Sequence, residues 1–301
     1  MSATTVAFIA PEQTAPNGGT KLAPSVTGQH NPRLFTSPSG VVYELVYVTP
    51  DLARGWLYHN TGNRPLRAEA VGKIARDMTA GRFLENGDAV RFSADNTLLD
   101  GQHRLEALYE SGTSAWLLVV SNLPDAAQDT VDDGAKRTMA DRFAFHGEPD
   151  AKTLASVVRR AILWTHNHKD QTGRFQPSAL ECFEFLAKHP ELREAASAAA
   201  HHRKAKLLPA STIGLCWWLF GALDPVQRTE FFDRLADGAM LAKGHPILTL
   251  RNRIADLNAQ PGRHSERHTL AMVIKSWNKY RAGQELTTLR FAENEKFPQP
   301  K

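Results

Sequence analysis

The residues that bear most directly on chemistry stand in one run, Asp100-Gly101-Gln102-His103-Arg104-Leu105. A carboxylate, a glycine, a carboxamide, an imidazole and a guanidinium follow one another there, a set suited to an anion. If the run crosses from a strand into a helix, the first helical turn offers unpaired N–H groups and the positive end of the helix dipole, both of which attract phosphate. Gly101 has no Cβ and lets main chain approach a ligand closely. The backbone amides of Gln102 and His103 would then meet the phosphate, and Arg104 adds a two-pronged guanidinium contact. Asp100 is the nearest carboxylate and the first candidate for Mg²⁺-assisted catalysis. It is equally a turn former before Gly101. The same pattern describes an ordinary strand–helix corner with Arg104 in solvent, and local sequence leaves both readings open.

The flanks must supply that strand and that helix. Ala89–Ser93 and residues 97–99 are short β-favouring runs separated by the turn pair Asp95-Asn96. Residues 102–110 read as a helix closed by Gly112, with Leu105, Leu108 and Tyr109 sharing its apolar face and Arg104 off it. Upstream, Tyr43, Leu45 and Tyr47 alternate with Glu44, Val46 and Val48 as in a strand. Thr49-Pro50 opens a short helical turn, with Thr49 as N-cap and Pro50 at its first position. Pro65 is expected to open the next helix, whose stripe is Val71, Ile74, Ala75 and Met78 and whose end is Gly81. Downstream, residues 116–121 read as a buried strand and residues 123–130 as a short helix.

With its context in place, the stretch Leu98-Leu99-Asp100-Gly101-Gln102-His103-Arg104-Leu105-Glu106-Ala107 resembles the signature of the ParB/sulfiredoxin superfamily. Members carry Gly, two variable positions, Arg and a small helix residue in a phosphate-gripping loop. Asp-Gly-Gln-His-Arg itself is similar to the motif of DndB-like regulators of DNA phosphorothioation and related phage proteins. The resemblance covers roughly residues 43–147. It implies a ParB/sulfiredoxin-like α+β N-terminal domain in which Gly101, Gln102, His103 and Arg104 bind a nucleotide or phosphate, with a nucleoside triphosphate and Mg²⁺ as the suspected ligand. Asn63-Arg64 is similar to the Asn-Pro-Arg region that this fold places beside the nucleotide pocket, which adds Arg64; its other reading is a loop charge.

In the phage relatives an Asp-x-Gly-x-x-Arg segment follows, matched here by Asp132, Gly134 and Arg137. The resemblance thereby adds Asp132 as a second catalytic carboxylate, with Asp133 beside it, and Arg137 as a phosphate ligand. Spacing alone makes the segment a turn before a helix capped at Thr138, with Asp141 completing a capping box. Sulfiredoxin carries a reactive cysteine just before His-Arg, where this chain has Gln102. A carboxamide supplies neither thiolate nor general base, so neither sulfinic-acid reduction nor a covalent intermediate on the loop is expected.

From Asp150 onward the pattern is helical. Leu154, Val157, Val158 and Ile162 follow an Asp150 cap, and Leu180, Phe183 and Leu186 follow Pro177-Ser178. Further helices are expected over residues 212–222, 225–240, 247–258 and 265–282. The chain therefore divides into an irregular arm (1–39), the α+β domain (40–148), an α-helical domain (149–284) and a tail (285–301), with the junction at 147–150. In the last helix Leu270, Val273, Ile274 and Trp277 form the core face. Arg267, His268, Lys275, Lys279 and Arg281 populate the others, and Lys275, Lys279 and Arg281 are candidate contacts to a DNA backbone, or simply a solvated face. His166 with His168, and His264 with His268, have spacings compatible with a metal, but no further ligand is identifiable and no metal site is expected. Trp217, Trp218 and Phe220 read as core.

Composition sets the outer bounds. The 301 residues carry a net charge of +4 and 42% apolar content, enough for a sizeable core and permissive of a polyanionic partner. Two distant cysteines, Cys182 and Cys216, make neither a disulfide framework nor a zinc site and fit a reducing cytosol. There is no basic segment followed by an apolar core at the start, and the most apolar run, 213–223, is too short to cross a bilayer. The expectation is a cytoplasmic protein without a membrane partner. Its leading function is nucleotide or phosphate binding in DNA metabolism, encoded by a phage or mobile element. The alternatives are a non-catalytic DNA-binding regulator and a Mg²⁺-dependent nuclease, kinase or nucleotide-modifying transferase. Nucleotide, DNA and a second copy of the chain are the expected partners.

Overall fold

The computed structural model describes residues 34–130, 137–172, 175–259, 265–292 and 294–301. It is a mixed α/β structure with one five-stranded sheet and eleven α-helices among the described residues, dividing into two compact units after Gly134.

In the first unit β1 (Leu34–Thr36) and β2 (Val42–Val48) form an antiparallel hairpin, so the arm expected to be irregular as far as residue 39 already contains a strand. Thr49 caps α1 (Pro50–Leu57) as its sequence indicates, its hydroxyl accepting from the Leu52 amide at 3.3 Å. The next helix, α2 (Ala68–Thr79), starts three residues later than Pro65 suggests. The cause is non-local: the Arg67 amide is donated to the His103 ring at 3.2 Å, which holds the preceding backbone extended.

β3 (Ala89–Ser93) and β4 (Leu98–Asp100) form the expected hairpin, with Asn96 in the left-handed region at φ 67°. The Thr97 amide donates to the Ser93 hydroxyl at 2.9 Å, and the same hydroxyl donates to Asp95, holding its carboxyl below the usual range. α3 (Gln102–Ser111) then carries the chain back to β5 (Ala115–Leu123), which runs parallel to β3 and antiparallel to β2. The sheet order is β1-β2-β5-β3-β4. α1 and α2 both pack on α3. Val48, Trp56, Val71, Val90, Phe92, Leu98, Leu105, Leu108 and Leu117 fill the space between helices and sheet. Tyr109, expected on the core face, is exposed, and Arg54 lies over its ring at 5.4 Å. A 3₁₀ helix over Asp125–Thr130 closes the described part of this unit.

The second unit is helical. α4 (Met139–Phe145) carries the anticipated capping box between Thr138 and Asp141 and packs on α5 (Ala151–Thr165). That packing puts α4 with the helices, so the division falls after Gly134 rather than at 147–150. Asp150 holds the N-cap position of α5 at φ 50° and makes no capping bond. α6 (Ala179–Lys188) has a second capping box, Ser178 with Glu181. Beyond it come α7 (Leu192–His202), α8 (Ala210–Gly221), α9 (Pro225–Asp237), α10 (Pro246–Ala259) and α11 (Glu266–Arg281). The α11 face of Leu270, Val273, Ile274 and Trp277 is fully buried, with the Trp277 ring stacked on Phe220 at 4.2 Å. Residues 285–301 are not a free tail: Leu289 and Phe291 belong to the core, and Gln299 accepts from Lys169 at 2.8 Å. Among the described residues no helix is long and apolar enough to cross a membrane.

Candidate functional site

The corner between β4 and α3 is built around Gly101. This residue caps α3 at φ 103°, a conformation that L side chains rarely adopt. A Cβ there would lie 3.0 Å from Val90 Cγ2 and 3.1 Å from Val90 Cα, so β3 closes one side of the corner against the main chain. The Gly101 carbonyl accepts from the Arg104 and Leu105 amides at 3.0 and 3.1 Å, which starts the helix.

Gln102 does not face solvent. It is 5% exposed, and its carboxamide ends a relay of four. Gln128 Nε2 donates to Asn63 Oδ1 at 3.0 Å, and Asn63 Nδ2 to Asn60 Oδ1 at 2.7 Å. Asn60 Nδ2 then donates to Gln102 Oε1 at 2.9 Å, and Gln102 Nε2 to the Arg64 carbonyl at 2.9 Å. Asn63 also donates to the Leu98 carbonyl of β4. Together with the Arg67–His103 bond, this relay fastens residues 60–67 across the first turn of α3. Asn60, Asn63 and Gln102 each both donate and accept, the condition for burying such groups without penalty.

Arg104 is also turned inward. Its side chain is 13% exposed; Nη2 donates to the Ala89 carbonyl at 2.7 Å and lies 3.7 Å from Asp100 Oδ2. Asp100 meanwhile pairs with Arg91 on the neighbouring strand. The carboxylate expected to be catalytic therefore bridges two guanidiniums. The cavity beside Arg104, bounded by Phe83, Asp88 and Trp116, is only about 10 Å³, room for a water molecule at most. The exposed groups of the corner are instead the side chains of Arg64 and Arg67 on the fastened loop, with His103 half-buried beneath.

The other candidates are dispersed. Asp132, with Asp133 and Gly134, lies outside the described residues. Arg137 belongs to the helical unit, where its guanidinium sits 5.3 Å over the Phe145 ring. Lys275 pairs with Glu295 at 2.8 Å and donates to the Arg290 carbonyl at 2.6 Å. Lys279 donates to Gln284 at 2.8 Å, and Arg281 to Gln227 at 3.3 Å. Each of these three DNA-contact candidates thus has at least one partner within the unit. His166 and His168 both stack on Phe175, and His264 lies outside the described residues. No cluster of three His, Cys, Asp or Glu side chains able to hold a metal occurs among the described residues.

Asn60 and Gln128 carry the relay and were not among the residues singled out in sequence. Nothing local marks them, because their partners lie 42 and 65 positions away. Comparison of the chain with protein-family models, curated proteins and solved structures finds no match in any of the three.

Proposed function

We propose that this chain is a ParB-like phosphate-binding protein that acts on DNA, with the corner between β4 and α3 gripping a backbone phosphate. The observation that carries the reading is the fastening of residues 60–67 to the first turn of α3. It sets two exposed arginines, Arg64 and Arg67, on a loop bonded to the positive end of a helix. The main-chain tie to His103 and the carboxamide relay fix that loop before any ligand arrives, which lowers the entropic cost of binding.

In this reading Arg64, Arg67 and His103 touch phosphate, while Gln102, Asn60 and Asn63 position them. Gly101 and Arg104 shape the corner from within. A nucleoside triphosphate with Mg²⁺ fits the corner less well: Asp100 is engaged by two arginines, and the adjoining cavity of about 10 Å³ cannot take a nucleoside. A phosphate on a DNA backbone needs neither a magnesium ligand nor a pocket. The non-catalytic regulator is accordingly the form of the proposal that the described residues support best.

Fluorescence anisotropy of a labelled duplex, titrated with the full chain at several salt concentrations, tests it. Affinity should fall linearly with salt on logarithmic axes, and Arg64→Ala with Arg67→Ala should flatten the slope by about 1–2 units while leaving the melting temperature unchanged. Equal binding and an equal slope in the double variant would remove the corner from consideration.

A further inference from the structure

The helical unit holds a larger and more positive concavity than the corner does. A cleft of about 630 Å³ opens between α10 and residues 287–290, within the range occupied by small-molecule sites. Three cations line it: Lys243 from the loop before α10, Arg253 from α10 and Arg290 from the opposite wall. Asp256 is the lining carboxylate, and Glu285 lies against Gly244 at the rim. None of the three cations pairs with a carboxylate among the described residues.

The walls are fixed. The Leu286 amide donates to the Gly244 carbonyl at 2.8 Å, and the Thr249 hydroxyl donates to the Leu286 carbonyl. Lys275 holds the Arg290 carbonyl at 2.6 Å, and Leu289 is anchored in the core. Arg253 itself is partly sunk into the wall, its Nε shut off from solvent. The fork geometry of the Arg253 and Arg290 guanidiniums suits phosphate oxygens.

We propose that this cleft binds a small phosphorylated ligand of nucleotide size, its phosphates held by Lys243, Arg253 and Arg290. Thr287, Thr288 and Asn252 supply the neutral donors for the remaining oxygens. The proposal goes beyond the corner and does not share a residue with it. Free nucleotide and DNA would then occupy different units of the chain.

Isothermal titration of the full chain with pyrophosphate, ATP, AMP and adenosine, without added metal, tests it. Pyrophosphate and ATP should bind, AMP more weakly, and adenosine not at all. Arg253→Gln with Arg290→Gln should weaken ATP at least about tenfold, the effect of losing one charge-assisted bond or more. Lys243→Gln, at an exposed loop position, should weaken it in the same direction. Arg64→Ala with Arg67→Ala should leave ATP binding intact. The proposal is overturned if neither pyrophosphate nor ATP binds. It is also overturned if only the Arg64 and Arg67 variants reduce binding, or if a single-stranded oligonucleotide binds through Lys243, Arg253 and Arg290 and ATP does not displace it.

Discussion

The Gln102 side chain donates to the main-chain carbonyl of Arg64 at 2.9 Å, across 38 positions of sequence. One buried carboxamide thereby decides where an exposed arginine stands.

Gln102→Leu keeps the volume and removes both bonds. The Asn60 amide loses its acceptor and the Arg64 carbonyl its donor, so the unfolding free energy in urea should drop by about 1–3 kcal/mol. The Arg67 amide, bonded to His103 on the same loop, should exchange its hydrogen faster. Unchanged stability together with unchanged exchange would show that the relay does not hold residues 60–67.

Arg104→Ala should act on the fold before it acts on any ligand. The Ala89 carbonyl loses its 2.7 Å donor and Asp100 is left with Arg91 alone, for a cost of about 1–3 kcal/mol. At temperatures where the variant stays folded, DNA affinity should fall less than in the Arg64 and Arg67 double variant. The opposite order would return Arg104 to the ligand.

Much of the frame was legible in the sequence because its signals are local. Thr49-Pro50, the capping box at Thr138, the helix start after Pro177-Ser178 and the Asp95-Asn96 turn each depend on partners within four residues. The apolar stripe of α11 was legible for the same reason. α7 was not, since its buried positions are mostly alanines (Ala195, Ala196, Ala199), too small to make a hydrophobic stripe stand out. The inward turn of Arg104 depends on a carbonyl 15 positions earlier, and the late start of α2 on a histidine 36 positions away. Periodicity carries no information about either. The cleft is farther still from local pattern, because Lys243 and Arg290 come to line one concavity only after α10 and α11 have folded.

Cys216 is fully buried, and burial pushes its thiol up to about 12. The thiolate is the reactive form, so native protein should consume no Ellman reagent at this residue at about pH 8. Denatured protein should titrate two thiols, Cys182 being buried as well. Rapid labelling of the native chain would mean that the α8 core opens.

His202 and His245 are both shifted down, chiefly by burial; for His202 the nearby Asp233 opposes the shift, and for His245 Arg234 adds to it. The native state therefore holds these rings neutral while the unfolded chain protonates them near its ordinary value of about 6.5. Below that pH the unfolded state binds more protons, so stability is retained above about 6.5 and declines as the pH falls toward the lower native values. Urea midpoints between about pH 7.5 and 5.5 should show the decline, and His202→Gln with His245→Gln should flatten it. A midpoint that rises on acidification would contradict the burial of both rings.

The space beside Gly101 has a consequence in handedness. An L-alanine there suffers twice, from the positive φ and from a methyl group 3.0 Å from Val90. The mirror-image residue escapes both of these: D-alanine is at ease at φ 103°, and its methyl group replaces the other α-hydrogen rather than the one that meets Val90. A chain assembled by chemical ligation with D-alanine at this position should keep the corner that L-alanine breaks. What position 101 demands is thus the absence of one enantiomer rather than the absence of a side chain.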